Sequence, residues 1–248
     1  MHQANKVNVV ARPQRTYFPM PYRMLIVLPH PDWPNLPYLE TVQWPSEQEY
    51  KFLEHGRGRS EYAHALIRIE PLPIGTGTRF ENRAAAALPE QFIPAIRSGI
   101  AEALFKGPIV GAEITDVSII LVSGSYHQTD SSDRAFQTAA RNAFTKAFQR
   151  SVPVLLEPIM RVHLTVSETS VGELSNEISR RRGEVKGMDS KTGSFTVEAW
   201  LPLAETAAIT RFVDGLSFGQ AKISVQFLRY EKAPSQHPPD QMTVPEYT

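Results

Sequence analysis

Hydrophobic residues in the first half of the chain recur at every second position in some stretches, as in a strand, and at every fourth position in others, as in a helix. The alternation of apolar and polar residues over 65–72 (ALIRIEPL) predicts a half-buried strand. The stretches 89–107 and 136–148 repeat apolar residues every fourth position and predict two amphipathic helices, the first ending at Gly107 in a left-handed conformation. Between these helices, the apolar run 114–122 predicts a buried strand.

The second half follows the order strand, helix, two strands, helix, strand. Apolar residues alternate with polar ones over 159–166, and two further strands flank the turn sequence DSKTG at 189–193. The helix before this hairpin has one apolar face and is expected to end at Gly183. A second helix near 203–214 and a strand at 222–229 complete the pattern. This order is that of a ferredoxin-like, split βαβ domain.

Proline marks both ends of the chain and indicates its domain organisation. From Tyr17 to Pro45 the sequence is studded with prolines, which remove backbone donors, so irregular or edge structure is expected there. The polar, proline-rich tail has too few apolar residues to fold and is expected to be disordered. The expected regions are a divergent N-terminal segment, two domains and a tail: 1–54, 55–153, 154–231 and 232–248.

Opposite charges balance over the whole chain, so no overall field attracts it to nucleic acid or membranes. Lys plus Arg and Asp plus Glu each number 26, and any RNA contact must come from local patches. The absence of cysteine excludes disulfides and thiolate nucleophiles. The apolar run at 24–28 stops at Pro29, far short of the ~20 residues that span a bilayer, and no signal-peptide pattern opens the chain. A soluble, cytoplasmic protein without membrane contact is expected.

The sequence lacks the motifs of the common catalytic classes. It has no G-x-x-x-x-G-K-[ST] phosphate loop, and GTGT at 75–78 predicts a turn. It also has no H-E-x-x-H pattern, so no metal site is expected. Ser125, His127 and Asp130 are close in sequence, whereas the members of a catalytic triad converge from different elements. An isolated enzyme is therefore the weakest interpretation.

Two loops carry basic or imidazole side chains beside glycine. HGRGRSEY at 55–62 places Arg57 and Arg59 where guanidinium groups and backbone amides can reach phosphate, although a solvated turn explains the same composition. In VSGSYHQTDSSDRAF, at 122–136, either Ser131 or Ser132 is expected to cap the predicted helix, with Asp133 in its first turn, and capping alone explains these polar residues. His127 precedes this cap, near a helix N-terminus whose dipole favours phosphate. It is either an incidental surface residue or a contact.

A long, ordered series of segments carries a family signature. It includes GRGRSEYAHALIRIEPLPIGTG, FIPAIRSGIAEAL, GSYHQTDSSDRAF, PVLLEPIMRVHLTV, SRRRGEVKGM and ISVQFLRYE. From about His55 to Pro234 the chain closely resembles the fourth and fifth domains of bacterial elongation factor G, and residues 8–17 resemble the end of the third. The resemblance implies an α+β protein with two α/β-sandwich-like domains, a ribosomal S5 domain 2-like domain followed by a ferredoxin-like one.

The resemblance also implies a role for the loop that precedes the second predicted helix. In the family, the fourth domain is an arm that enters the decoding region of the small ribosomal subunit and holds the transfer RNA–messenger duplex during translocation. The loop from residue 124 to residue 132, here called the tip loop, matches the end of this arm, and residues 56–60 match its neighbour. The residues for which this implies RNA contact are Gly124, Tyr126, His127, Gln128, Arg57 and Arg59.

The fifth domain of the family lies by the factor-binding region of the large ribosomal subunit. Candidate contacts there are Arg180, Arg181 and Lys186, although arginines at a helix end also complement its dipole. The family's glycine–arginine loop before the last strand appears here as FGQAK, in which Lys222 is the only charge. One contact with the large subunit is therefore expected to be weaker.

The sequence departs from the family by lacking its GTPase domain, its second domain and nearly all of its third. No GTP hydrolysis and no cofactor are expected of this chain, and GTP would enter only through a separate or missing GTPase domain. The implied partner is the ribosome, together with a separate GTPase chain if the factor is split. The alternatives are a ribosomal-protection-type factor and a non-translational scaffold that docks through Trp33 and Trp44. Those tryptophans equally suit a role in covering the core.

Overall fold

The computed structural model describes residues 37–55, 60–191, 193–216 and 222–234, and it divides the chain into two compact units. Within these residues the first unit contains Tyr38–Leu156 and the second contains Glu157–Glu231. Every helix in the described part of the chain is too short or too polar to cross a membrane.

The first unit packs two helices against one face of a four-stranded sheet. Its strands and helices, in chain order, are β1 (Leu39–Val42), β2 (Ser46–His55), β3 (Ser60–Pro71), β4 (Arg79–Asn82), α1 (Ile93–Leu104), β5 (Glu113–Ile114), β6 (Val117–Ser125) and α2 (Asp133–Arg150). The sheet has the order β2-β3-β6-β4, in which β3 is antiparallel to both neighbours and β4 is parallel to β6. This mixed sheet with helices on one face confirms the expected α+β class.

Hydrophobic periodicity explains why these segments form the core of the first unit. Alternate residues of β3 are fully buried. In α2, apolar residues recur at every fourth position, which places its phenylalanines and alanines on the same buried face. The hydroxyl of Ser132 caps α2 by accepting a hydrogen bond from the backbone N–H of Ala135 at 3.2 Å. The strand predicted over 65–72 and the helix predicted over 136–148 are confirmed. The single strand predicted over 114–122 is instead two strands, β5 and β6, which are separated at Asp116, where φ is +58°.

The proline-rich N-terminal segment contributes two strands to the first unit. β2 lies at the edge of the four-stranded sheet and begins just after the proline-rich stretch that ends at Pro45. β1 lies within that stretch and differs from the expected irregular or edge structure, because it is a buried, interior strand. It pairs in parallel with β5 and antiparallel with Pro153–Leu156 at the start of β7 (Pro153–Ser167). The residues between Pro37 and Pro45 lack proline, and this window is long enough for a short strand. The unit therefore begins ahead of the boundary expected at residue 55.

Gly107 has a different role from the one that the sequence indicates. Helix α1 ends at Leu104, and the left-handed glycine nearby is Gly111, with φ +74°, rather than Gly107. A Cβ atom on Gly107 would lie 2.1 Å from Oε2 of Glu40, whose carboxylate is fully buried. Glu40 accepts hydrogen bonds from three backbone N–H groups of the loop after α1, at 3.0, 3.0 and 3.2 Å: those of Ile109, Val110 and Ala112.

The turn predicted at 75–78 is present and is held by a buried carboxylate. Gly75 and Gly77 have φ values of +89° and +83°, which glycine adopts without steric cost. Their backbone N–H groups donate to the carboxylate of Asp116 at 3.0 and 2.7 Å. These glycines therefore serve the fold of the first unit.

The second unit has the predicted ferredoxin-like topology. After β7 its elements are α3 (Val171–Arg180), β8 (Glu184–Lys191), β9 (Ser194–Pro202), α4 (Leu203–Leu216) and β10 (Lys222–Lys232). The strands lie in the order β10-β7-β9-β8. Alternate residues of β7 pack against apolar residues of both helices in one buried cluster that includes Met160, Val162, Leu164, Leu174, Ile178, Ile209 and Val213. The tail expected from residue 232 is described only as far as Pro234.

The end of α3 differs in detail from the prediction. The residue with a left-handed conformation is Arg182, with φ +59°, whereas Gly183 accommodates close packing. The N–H of Gly183 donates to the carbonyl oxygen of Ile178 at 2.9 Å, and a Cβ atom on it would lie 2.6 Å from Cγ2 of Ile178. The guanidinium of Arg182 binds the buried carboxylate of Glu157 through two hydrogen bonds of 2.7 and 3.1 Å.

Candidate nucleic-acid interface

The tip loop joins the end of β6 to the start of α2 and presents polar and aromatic side chains to solvent. Tyr126, His127 and Gln128 are all exposed. The backbone N–H of His127 donates to Oγ of Ser131 at 2.9 Å, and the N–H of Ser131 donates to the carbonyl oxygen of His127 at 3.1 Å. The loop therefore closes on itself while its predicted contact residues face outward.

Hydrogen bonds also attach the tip loop to the neighbouring strand. Oγ of Ser131 donates to the carbonyl oxygen of Tyr62 on β3 at 2.7 Å, and the N–H of Tyr62 donates to the carbonyl oxygen of Asp130 at 2.7 Å. Both backbone groups of Tyr62 are used in this way. The position of the loop is thus fixed relative to the β2–β3 hairpin.

The imidazole of His127 is oriented by its own loop. Its Nδ1 atom lies 3.2 Å from a carboxylate oxygen of Asp130 and 3.1 Å from the hydroxyl of Thr129. The side chain is nevertheless 59% exposed. An oriented, accessible imidazole can donate a hydrogen bond to phosphate or stack on an unpaired base.

Tyr126 joins the tip loop to the hydrophobic core. Its ring centroid lies 6.2 Å from that of Phe92, which in turn stacks on Phe136 of α2 at 4.5 Å. The tyrosine remains 43% exposed. One part of its ring is therefore supported by the core while another is open to a base or sugar.

Gly124, the remaining predicted residue of the tip loop, is required by packing. A Cβ atom there would lie 2.6 Å from the carbonyl oxygen of His64 and 2.6 Å from Cδ1 of Leu88. The glycine allows β6 to approach β3 closely. A direct contact between Gly124 and RNA stays a prediction.

The neighbouring loop carries the two predicted phosphate contacts, Arg57 and Arg59, which lie outside the described residues. The strands on either side of it are described, and His55 on β2 pairs with Ser60 on β3 at the end of the ladder. Nδ1 of His55 lies 3.3 Å from Oγ of Ser60. The four residues 56–59 therefore connect the ends of a regular hairpin.

A series of hydrogen-bonded polar side chains next to the tip loop was not predicted from the sequence. The hydroxyl of Tyr62 lies 2.6 Å from Oγ of Ser125, which lies 3.4 Å from Nδ1 of His64. Nε2 of His64 lies 2.8 Å from the carboxylate of Glu49. This series connects β2, β3 and β6 beneath the loop. The alternation along β3 places Tyr62 and His64 on one face, but their partners depend on the strand register.

Arg134, near the start of α2, is a second feature that the sequence analysis missed. Its Nε and Nη2 atoms lie 3.0 and 2.8 Å from Oε2 of Glu61, and Nη2 also binds the carboxylate of Glu54. The hydrogen bonds with Glu61 and then Glu54 raise the pKa of Arg134 above its usual value. The first turn of α2 is thereby joined to both strands of the β2–β3 hairpin.

The predicted contacts on α3 differ in how free they are to bind a partner. Arg181 binds Glu177 at 2.6 Å and Glu205 at 3.2 Å. Partial burial lowers its pKa, but these hydrogen bonds outweigh that effect and the pKa of Arg181 is raised. Arg180 lies 3.3 Å from Glu177, yet its side chain is 80% exposed. Of the two, Arg180 is the more accessible.

Lys186, the third predicted contact of the second unit, packs on an aromatic ring. Its ammonium lies 4.3 Å from the ring centroid of Trp200, and the guanidinium of Arg229 lies 4.5 Å from the same centroid. Lys186 also forms an ion pair with Glu184, and Arg229 forms one with Glu231. Much of the positive charge around Trp200 is thus compensated within the unit.

Within the described residues, no three histidine, aspartate or glutamate side chains come together as a metal-binding group. His64, the half-buried histidine of the sheet, is instead hydrogen-bonded to Glu49 and Ser125. The expectation that the chain binds no metal stays a prediction.

Two family models match the chain in the order of its two units. The model of elongation factor G, domain IV, matches residues 34–152, and that of the elongation factor G C-terminus matches residues 154–241. The first match includes β1 and β2, which the sequence analysis placed ahead of the domain. These matches lie in the fourth and C-terminal domains of the family and not in its GTPase domain.

Curated relatives and a solved structure agree with the family models. Elongation factor G of Thermotoga petrophila is 36% identical over 204 residues, which is 81% of this chain and 29% of the relative. An elongation factor G-like protein of Thermotoga maritima is 40% identical over 203 residues, or 81% of this chain and 30% of the relative. A crystal structure of a protein from Thermus thermophilus superposes with a TM-score of 0.71 at 34% identity, over 82% of this chain and 30% of that one. The chain thus spans less than a third of these proteins.

Proposed function

The chain belongs to the elongation factor G family, and from this premise we propose that its first unit binds the ribosome as an arm and contacts RNA through the tip loop. The observation that best supports this proposal is that hydrogen bonds hold the tip loop in one conformation. Ser131 fixes its backbone, while Tyr126, His127 and Gln128 face solvent. A loop that is already ordered loses little conformational entropy on binding.

The proposed mechanism is recognition without chemistry. Phosphate contacts by Arg57 and Arg59 set the position of the arm, and the side chains of the tip loop contact bases or sugars of the transfer RNA–messenger duplex. The arm holds this duplex in the decoding region during translocation. Because phosphate contacts release counterions, the affinity falls as the salt concentration rises.

The second unit is proposed to contribute a contact with the large ribosomal subunit. Arg180 supports this best, because its side chain is 80% exposed at the end of α3. Arg181 and Lys186 already bind carboxylates of the same unit, so their contribution to RNA binding is expected to be smaller.

GTP hydrolysis, in this proposal, belongs to a GTPase domain outside the regions matched here. The chain itself binds no nucleotide cofactor and acts with the ribosome and with such a GTPase, in the cytoplasm where ribosomes work. Addition of GTP to the isolated chain is therefore expected to leave its affinity for ribosomes unchanged.

Co-sedimentation with purified 70S ribosomes at several salt concentrations tests the proposal. The unchanged chain is expected to pellet with ribosomes at low salt and to dissociate as salt increases. The variant His127→Ala/Arg57→Ala/Arg59→Ala should pellet less. A matched control, His163→Ala/Arg83→Ala/Arg141→Ala, removes the same residue types elsewhere and should pellet like the unchanged chain. Equal binding by both variants, or no binding by the unchanged chain, contradicts the proposal.

The exposed side chain of Trp44 favours a second candidate function, a scaffold that binds another protein. The residue is 62% exposed, although its backbone N–H donates a hydrogen bond to the carbonyl oxygen of Ser151 at 3.1 Å. Exposed tryptophans are common anchors of protein interfaces. Trp33, the other predicted anchor, lies outside the described residues. If Trp44→Ala abolishes the capture of a partner protein while ribosome binding is absent, this candidate replaces the arm.

A further inference from the structure

Arg134 occupies an electrostatically unfavourable position. It is the second residue of α2, and a cation in the first turn opposes the partial positive charge of the helix N-terminus. Asp133 just before it has the sign that this position favours. A compensating interaction is therefore expected for Arg134, and the β2–β3 hairpin supplies it.

The compensation comes from two carboxylates that face each other across the hairpin. Glu54 and Glu61 are directly paired on β2 and β3, an arrangement in which like charges repel. Arg134 binds both carboxylates, and its guanidinium also lies 5.9 Å from the ring centroid of Phe52. Glu61 is largely covered, with 18% of its side chain exposed, whereas 51% of Glu54 remains exposed.

The cluster of Arg134, Glu54 and Glu61 lies beside the residues that hold the tip loop. Glu61 is adjacent to Tyr62, whose backbone holds the tip loop through Ser131 and Asp130. An RNA strand at the tip loop therefore approaches two carboxylates and one guanidinium, with a combined charge of −1. Without Arg134 the same site would carry −2 and would repel phosphate more strongly.

We propose that Arg134 is a positioning residue for RNA binding, which masks the negative charge of Glu54 and Glu61 beside the tip loop. It acts through these two carboxylates and need not contact RNA itself. This inference rests on the proposed function, because it requires RNA at this end of the first unit.

The test combines a loss with a rescue in ribosome-binding titrations. Arg134→Gln is expected to weaken the affinity for 70S ribosomes by about threefold at low salt, and the loss should fade as salt screens the carboxylates. Arg134→Lys, which keeps the charge, should lose less. Removal of the repelling groups in Arg134→Gln/Glu54→Gln/Glu61→Gln should restore the affinity. Glu54→Gln/Glu61→Gln alone should bind at least as tightly as the unchanged chain.

Two controls separate charge masking from a general effect on the fold. Arg141→Gln removes a paired arginine from the exposed face of the same helix, where it lies 3.5 Å from Glu102, and should not change the affinity. Thermal unfolding of each variant shows whether the fold is retained. Because Arg134→Gln alone already breaks both ion pairs, loss of a structural brace would appear as a lower unfolding temperature of that variant, whereas charge masking predicts weaker binding at an unchanged unfolding temperature.

Each outcome decides the inference. A salt-sensitive loss in Arg134→Gln that the triple variant reverses supports charge masking. An unchanged affinity in Arg134→Gln, or a loss that the triple variant does not reverse, overturns it while the proposed function stands. Failure of the unchanged chain to bind ribosomes at low salt overturns the proposed function and this inference together.

Discussion

The hydroxyl of Ser131 donates a hydrogen bond of 2.7 Å to the carbonyl oxygen of Tyr62, and this bond joins the tip loop to strand β3. The same hydroxyl accepts the backbone N–H of His127 at 2.9 Å. One side chain thus fixes the loop internally and attaches it to the sheet. The arrangement of the exposed residues His127 and Gln128 depends on a serine that is itself half-buried.

Ser131→Ala is expected to lower the free energy of unfolding by about 1–2 kcal/mol, because two hydrogen bonds of a half-buried hydroxyl are lost. Urea denaturation measures this change. Ser98→Ala, at an exposed position of α1, is the matched control and should stay within about 0.5 kcal/mol of the unchanged chain. If the two variants unfold alike, Ser131 does not hold the loop as the geometry indicates.

Glu40 and Gly107 are expected to depend on each other. Glu40→Ala should cost about 1–3 kcal/mol, because backbone N–H groups of the loop after α1 lose a buried acceptor. Gly107→Ala forces the new methyl group against the carboxylate and should cost about 2 kcal/mol or more.

The double variant of Glu40 and Gly107 tests this dependence by urea denaturation. In Gly107→Ala/Glu40→Ala the clash is removed, so the combined cost should be clearly smaller than the sum of the single costs. Additive costs would show that the two sites do not interact. Gly172→Ala is a suitable control, because a Cβ atom there would meet nothing within 4 Å.

The ion pair between Glu157 and Arg182 is expected to stabilise the second unit. Glu157→Gln should lower the free energy of unfolding by about 1–3 kcal/mol, since it weakens two charge-assisted hydrogen bonds to a mostly covered guanidinium. Thermal and urea unfolding measure the loss. Glu231→Gln, which disturbs an exposed pair with Arg229, should cost less than about 1 kcal/mol. A cost for Glu157→Gln no larger than this would contradict a structural role for the buried pair.

Much of the fold follows from local patterns that the sequence shows directly. Apolar residues at every fourth position, Phe136, Ala140, Phe144 and Phe148, are enough to predict α2 and its buried face, because helix periodicity decides which residues share a side. The element order of the second half predicts the ferredoxin-like topology in the same way. Strand β1 was not predicted, because four residues among prolines carry little signal of their own and gain their structure by pairing with β5 and β7.

The candidate site was predictable only in part. His127 and its exposed neighbours lie in a loop whose end the sequence identifies by a helix cap at Ser131 or Ser132, and the structure has the cap at Ser132. The bonds from Arg134 to Glu54 and Glu61 join residues 80 and 73 positions apart in the chain, and only the packing of α2 on the hairpin brings them together. Likewise, the sequence does not show why residue 107 is a glycine. Its conformation is not left-handed, and a side chain there would clash with the carboxylate of Glu40, which is distant in sequence.

The most direct measurement for the proposed arm is photo-crosslinking from the tip loop to RNA. A benzoylphenylalanine introduced at Gln128 should crosslink to RNA at the decoding region of the small ribosomal subunit, and high salt should abolish the crosslink. The same group at Ser98 of α1 is the control and should give no such crosslink. Crosslinks from Ser98 equal to those from Gln128, or none from Gln128 under conditions in which the chain sediments with ribosomes, would contradict a tip loop that contacts RNA.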